Sequence, residues 1–400
     1  MKTLPKIVPT AEQLVLISDP RAGVQVIRGA AGSGKTTTAL LMLKQLSSFW
    51  LSRKKRLNLS GGVNILVVTF NRTLRGYILD LAEREVPSSE QLNLTVVTFG
   101  KLAMSIFPEM DLINNDDRES KIRALARNVP LPVDFVADEV DYIFGRFPTG
   151  GIEDYLTCRR IGRGKSPRVD RGLRKRLIDE VVNPYQEWKS ECQKVDWNDM
   201  AVLMVQSREL ERYDVIVADE SQDFSANQVR AIMNCAADPA SVIFVMDAAQ
   251  RIYPRGFQWT EVGISNIKGH RLKENHRNTT EICRFAAPLL NGLDVGDDGA
   301  IPDLNSCKKH GPVPVVVKSR YSKQIDYAIN YIDSYIDLAS ESVGFLHPKG
   351  WFKYLKQALH KHSLRFVAIG RKLHRFYPRT LQASRTPAQP RQRLILHFIM

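Results

Sequence analysis

The chain has 400 residues, a formal net charge of +14 and five cysteines. That length exceeds one ordinary core, so two or three domains are expected; no window approaches the roughly 18 apolar residues of a membrane span, and Met1–Thr10 lacks the apolar segment of a signal peptide. Cys158, Cys192, Cys235, Cys283 and Cys307 form no C-x-x-C pair, which argues against a disulfide framework or a zinc site and for a cytoplasmic setting.

The charge is unevenly spread. No Asp or Glu follows Glu341, while twelve Lys or Arg lie between Lys349 and Arg393, so only two of the fourteen net positive charges belong to residues 1–341. A local basic run from Arg159 to Arg176 holds nine basic residues against Asp170 alone. It reads either as a nucleic-acid contact or as a solvated loop.

Residues 11–23 suit a short helix ended by a turn, with Gln13 placed where its amide could read an adenine edge. Val24–Ile27 suits a buried strand, and Thr37–Phe49 a helix. Between them Gly29-Ala30-Ala31-Gly32-Ser33-Gly34-Lys35-Thr36 fits G-x-x-x-x-G-K-[ST]. A glycine-rich turn leading into a helix N-terminus aims backbone N–H groups and the positive end of the helix dipole at a polyphosphate. Gly29, Gly32, Ser33 and Gly34 would form the cradle, Lys35 would reach the β- and γ-phosphates, and Thr36 would offer its hydroxyl to Mg²⁺. ATP and Mg²⁺ are therefore expected ligands.

Continuous apolar runs at Asn64–Phe70 and Leu94–Phe99 read as strands of a parallel sheet. Thr69, Phe70, Asn71 and Thr98 would lie at its C-terminal edge, where α/β sheets bind ligands. From Lys101 to Val195 the pattern turns helical, suggesting an inserted subdomain. The sheet pattern resumes at Tyr213–Glu220, delivering Asp219 toward Mg²⁺ and Glu220 toward the attacking water. Ser241–Met246 is another strand, followed by Gln250, which could sense a γ-phosphate. Tyr253, Phe257 and Trp259 then fall in a Pro/Gly-broken loop, as stacking platforms for bases worth about 1–3 kcal/mol each. Arg271–Asn278 reads as the opening of a helix, with Arg277 as an arginine-finger candidate supplied from a second domain. Beyond it, Val313–Lys318, Ser342–Leu346 and Arg365–Ile369 read as strands, and Lys323–Ala339 and Trp351–His362 as helices.

In content and order these stretches resemble the UvrD/Rep-type superfamily 1 DNA helicases. Gln13 resembles the Q motif, Gly29–Thr36 motif I, Val67–Leu74 motif Ia and Thr98–Ala103 motif Ib. Asp219-Glu220-Ser221-Gln222-Asp223 looks like the Asp-Glu-x-Gln-Asp form of motif II, Asp247–Tyr253 like motif III, and Leu272–Ile282 like motif IV. Asp196-Trp197-Asn198-Asp199 resembles the acidic-aromatic tetrapeptide preceding motif II. The resemblance implies an α/β fold: a P-loop NTPase (RecA-like) parallel-sheet domain 1A (1–103 and 196–272) with helical insertion 1B (104–195). A second, incomplete RecA-like domain 2A (273–377) and an aberrant basic tail (378–400) would follow. It further implies ATP-driven 3′-to-5′ movement on single-stranded or partly duplex DNA, with partners from a repair or recombination pathway. The basic run in 1B then reads as a strand or duplex contact.

The chain departs from the family pattern at several points. His276 stands where a tyrosine usually stacks on adenine, and Gly100 where motif Ib usually carries His. Sequences resembling motifs V and VI are not found, and the acid-free text from Arg379 reads as a truncated or frameshifted terminus. A non-catalytic ATP- and nucleic-acid-binding remnant or regulator is the alternative from another class. A P-loop protein acting on a small molecule is disfavoured by the aromatics at and after motif III, Tyr253, Phe257 and Trp259.

Overall fold

The computed structural model describes residues 8–70, 72–86, 89–161, 163, 167–247, 256–290, 307–338, 342–347, 352–369, 379–384 and 395–399. Contacts divide the chain into two compact units, one of Pro9–Pro312 and one of Val313–Met400 with the first eight residues. Among the described residues no helix is long and apolar enough to cross a membrane.

The first unit begins with α1 (Ala11–Ile17), capped by a reciprocal Thr10–Gln13 box, and continues through β1 (Gly23–Gly29), α2 (Lys35–Arg56), β2 (Val63–Thr69), α3 (Arg72–Glu85) and β3 (Leu92–Thr98). A helical stretch follows: α4 (Phe99–Ile106), α5 (Asn115–Ala126), α6 (Val133–Arg146), α7 (Arg171–Leu177), α8 (Asn183–Glu191) and α9 (Trp197–Gln206). The sheet then resumes with β4 (Tyr213–Asp219), α10 (Ala226–Asn234), β5 (Ala236–Met246) and β6 (Ile267–Leu272). The six strands lie in the order β3-β2-β4-β5-β1-β6, and every ladder is parallel. Burial along the whole of β4 explains why it reads as a continuous apolar run: helices cover both faces of a parallel sheet. Gly29, Thr69, Asp219 and Met246 end their strands at one edge, so the sheet itself gathers residues far apart in sequence.

The inserted helices have their own core around Tyr142, Ile143, Tyr155, Val182 and Tyr185. At its centre lies Glu139, fully buried, which accepts from Arg160 (2.7 and 2.9 Å), Arg163 (2.6 Å) and the Tyr155 hydroxyl (2.5 Å). These bonds hold the Glu139 carboxyl below its usual range despite burial. Removing one partner of such a buried pair would cost about 3–5 kcal/mol. Much of the Arg159–Arg176 run is thus committed internally. Arg174 donates to the Tyr155 and Cys158 carbonyls, Lys175 pairs with Asp179, and Arg176 with Glu180. Arg159, Arg168 and Arg171 are the run's described, exposed members without a carboxylate partner among the described residues.

The expected helix opening at Arg271 is also corrected. Ile267–Leu272 completes the sheet, and β7 (Asn275–Thr279) pairs with β8 (Cys307–Lys309) before and after α11 (Thr280–Leu290). These residues belong to the same compact unit as the P-loop.

The second unit contains α12 (Tyr321–Tyr335), β9 (Ser342–His347), α13 (Phe352–Lys361), β10 (Arg365–Ile369), β11 (Arg379–Ser384) and β12 (Ile395–Ile399). Its sheet order is β10-β11-β9-β12, and Ile325, Ile329, Ile332, Phe345, Leu355 and Leu359 form its core. Val313–Lys318, a strand by composition, pairs with none among the described residues. Val313 and Val316 are both 73% exposed, and β-branched composition alone does not make a strand without a ladder partner.

Candidate nucleotide and nucleic-acid site

The turn between β1 and α2 is built by close approach. Gly32 and Gly34 hold left-handed backbones at φ +88° and +80°, which glycine adopts without steric penalty. A Cβ on Gly29 would lie 2.4 Å from Ser33 Oγ, on Gly32 2.6 Å from Asn275 Oδ1, and on Gly34 2.5 Å from Gln13 Nε2. All three glycines are fixed by what surrounds them, and Gly32 and Gly34 by backbone conformation as well. Gln13 is buried and packs on the loop at Gly34, while its Oε1 accepts from the Thr10 backbone N–H at 3.0 Å.

Lys35 opens α2 and donates from Nζ to the carbonyls of Gly29 (2.8 Å) and Ala30 (3.0 Å) and to Asp247 Oδ2 (3.2 Å). Thr36 Oγ1 donates to Asp219 Oδ1 at 2.9 Å. The other Asp219 oxygen is buried with no hydrogen-bond partner. Burial, then the neighbouring Glu220 charge, push the Asp219 carboxyl up to about 7. A buried carboxylate oxygen without a donor, beside a threonine hydroxyl, suits a hard divalent cation, so these residues fit Mg²⁺. Ser33 Oγ is likewise buried without a partner beside Gly29.

Glu220 occupies the left-handed region at φ 54°, ψ 41°. For a non-glycine residue this costs on the order of 1 kcal/mol. Its carboxylate accepts from Gln222 Nε2 at 2.6 Å, and Gln222 Oε1 accepts from the Asp247 backbone N–H at 2.9 Å. Gln222 thereby ties the end of β4 to the end of β5. Asn275 braces the turn from the other side. Its Nδ2 donates to Ala31 O (2.9 Å), its Oδ1 accepts from the N–H groups of Arg277 (3.1 Å) and Asn278 (3.0 Å), and the His276 N–H donates to Gly32 O (2.9 Å). Arg277 lines the same cleft as Gly32, Gly34, Lys35, Thr36, Asp219, Glu220 and Gln222. Its guanidinium makes no ion pair among the described residues, and it belongs to the P-loop's own compact unit. Gln222 and Asn275 are bracing residues that sequence reasoning places within motifs without assigning them a part. Short polar side chains carry no periodic signal, and only the meeting of distant strands shows what they hold.

The residues expected to meet nucleic acid fall into two groups. Thr69 is fully buried at the end of β2, and Thr98 caps α4 by accepting from the Lys101 N–H at 3.3 Å. Both shape the edge rather than present a face. Phe70, Phe257 and Trp259 are half-buried. Phe70 meets Phe224 edge-on at 5.8 Å, Trp259 packs on Phe244 at 5.0 Å, and Phe257 meets Trp259 at 5.5 Å, nearly perpendicular. The expected irregular loop is in part a 3₁₀ turn, Trp259–Val262, whose aromatic residue also serves the core. Gly100 has a local cause: a Cβ there would come within 3.1 Å of the Trp197 ring. The Asp196–Asp199 tetrapeptide is a capping box on α9 that places that ring. Asn71, Gln250 and Tyr253 lie outside the described residues.

A family model described as the UvrD/REP helicase N-terminal domain matches residues 162–269. The chain is similar to DNA helicase II of Escherichia coli (strain K12), 28% identical over 337 residues that cover 72% of this chain and 42% of that protein. It is also similar to DNA helicase II of Salmonella typhimurium (strain LT2), 23% identical over 321 residues that cover 70% of this chain and 40% of that protein. The chain thus spans about two-fifths of the length of these relatives. The parallel sheet with its phosphate cradle and these similarities together support a likeness to the UvrD/Rep-type helicases.

Proposed function

We propose that the chain acts as an ATP-dependent DNA translocase or helicase of the UvrD/Rep type, in a cytoplasmic setting, with 3′-to-5′ movement implied by the family. The observation that carries this reading is the linkage Glu220–Gln222–Asp247–Lys35. It joins the water-activating carboxylate, the phosphate-binding lysine and the end of β5 in one hydrogen-bonded chain.

ATP would lie with its phosphates over the N-terminus of α2, where Lys35 exchanges carbonyl and Asp247 partners for phosphate oxygens. Thr36 and Asp219 would hold Mg²⁺, which supplies charge neutralisation at the β- and γ-phosphates. Glu220 would orient and deprotonate the attacking water, and Arg277 would offset charge on the transferred phosphoryl group. With the γ-phosphate gone, Lys35 would pair again with Asp247, whose backbone N–H Gln222 holds. DNA is the expected substrate strand, stacked on Phe70, Phe257 or Trp259.

The test is phosphate release by this chain with and without single-stranded oligonucleotide. Stimulated turnover that disappears in Glu220→Gln while nucleotide binding persists supports the proposal. Oligonucleotide and nucleotide binding with no turnover in the wild-type chain would favour the non-catalytic reading instead.

A further inference from the structure

The 256–262 segment carries the Phe257–Trp259 pair, and both its ends are tied to the helical insertion. At one end Gly256 abuts the Ile161 carbonyl so closely that a Cβ would stand 2.5 Å from its oxygen. At the other, Glu261 receives a two-pronged bond from Arg146, Nε at 3.0 Å and Nη2 at 2.6 Å. Arg146 is the last residue of α6, its side chain only 6% exposed, and its third nitrogen donates to Arg159 O at 2.8 Å and to the Tyr142 hydroxyl. That hydroxyl in turn accepts from the Ile161 N–H at 3.1 Å, closing the network back to Gly256. Arg230 spans the same junction, donating to Arg146 O (2.7 Å) and Glu261 O (2.8 Å).

We propose that the Arg146–Glu261 pair sets the aromatic turn for base stacking, making both positioning residues for single-strand binding; this rests on the reading of Phe257 and Trp259 as a stacking platform. The two partners are 115 residues apart in sequence, and Glu261 follows Trp259 by two positions on a single 3₁₀ turn. A planar guanidinium gripping both carboxylate oxygens fixes direction as well as distance. Losing it leaves that end of the turn held by Arg230 on the Glu261 carbonyl alone, and lets the Trp259 ring shift against Phe244. The insertion thereby acts on nucleic acid through the first sheet rather than through its own basic surface.

The experiment measures binding of a labelled oligothymidylate to the full chain over a salt series, alongside binding of a fluorescent ATP analogue without oligonucleotide. Glu261→Gln keeps the shape of a side chain that is 29% exposed, and Arg146→Lys keeps the charge without the fork. Each should weaken oligonucleotide binding about tenfold, the value of roughly one stacked base. The salt slope and the affinity for the ATP analogue should stay as in wild type, because neither residue touches phosphate in this arrangement. Wild-type affinity in both variants overturns the inference. So does a salt slope lowered by about one in Arg146→Gln, which would mean a direct phosphate contact. A wild-type chain that binds no oligonucleotide removes the single-strand reading and this inference with it, whereas wild-type binding with unaltered variants removes the inference alone.

Discussion

Asp219→Asn should make the first unit more stable at alkaline pH and leave it little changed in acid. The Asp219 carboxyl is fully buried, bonded on one oxygen to Thr36 and on the other to nothing, and is raised from an ordinary 3.8 to about 7. The folded chain therefore holds this proton over a range where the unfolded chain has released it. Stability from this group is fully present below the unfolded value and is lost as pH rises through about 7. At about 1.4 kcal/mol per pH unit across that window, the full loss is about 4 kcal/mol. Asparagine carries no charge at any of these pH values and can still accept from Thr36 through Oδ1. Urea denaturation followed by tryptophan emission, at about pH 4.5 and about pH 8, should show the variant gaining roughly 3 kcal/mol over wild type between the two conditions. Mg²⁺ with ATP at the higher pH should narrow the gap by stabilising wild type but not the variant. Stability curves that run parallel from acid to alkaline pH would refute the reasoning, because Asp219 would then titrate alike in folded and unfolded chains.

Lys35→Ala should abolish binding of a fluorescent ATP analogue and also lower the melting temperature, since it takes its donor from the buried Gly29 and Ala30 carbonyls and its cation from the buried Asp247 carboxylate. Asn275→Ala removes four hydrogen bonds of a buried side chain, one of them to Cys283 Sγ, and should cost about 1–3 kcal/mol by urea denaturation, with weaker ATP binding as the Ala31 carbonyl loses its shorter donor. Gly34→Ala should impair both folding and nucleotide affinity, because its φ of +80° is unfavourable for alanine and its Cβ would meet Gln13 Nε2 at 2.5 Å. Pairing it with Gln13→Ala relieves the contact but not the backbone strain, so calorimetry of the double variant should show partial recovery.

Local chemistry makes the phosphate cradle and the motif II acids legible in the amino-acid sequence. A glycine-rich turn between an apolar run and a helix, and two acids ending another apolar run, each state their job within about ten residues. Continuous apolar runs likewise announce the parallel strands, because strands covered on both faces carry no alternation. Reliance on near neighbours also explains the misreadings. The Arg159–Arg176 run looks like free positive charge along the chain, yet Glu139, which sits among its arginines, lies twenty residues upstream of the first of them. Val313–Lys318 has strand composition but no ladder partner among the described residues.

Sequence alone therefore determined which residue types stand ready for a triphosphate, a divalent cation and a base, since those chemistries depend on neighbours a few positions away. Tertiary structure decided what braces them: Asn275 and Gln13 against the glycine turn, Gln222 between two strand ends, and Arg146 on Glu261. A hydrogen bond needs two groups within about 3 Å, and only the side-by-side order of β4, β5, β1 and β6, with the helices and turns packed on them, brings those groups together.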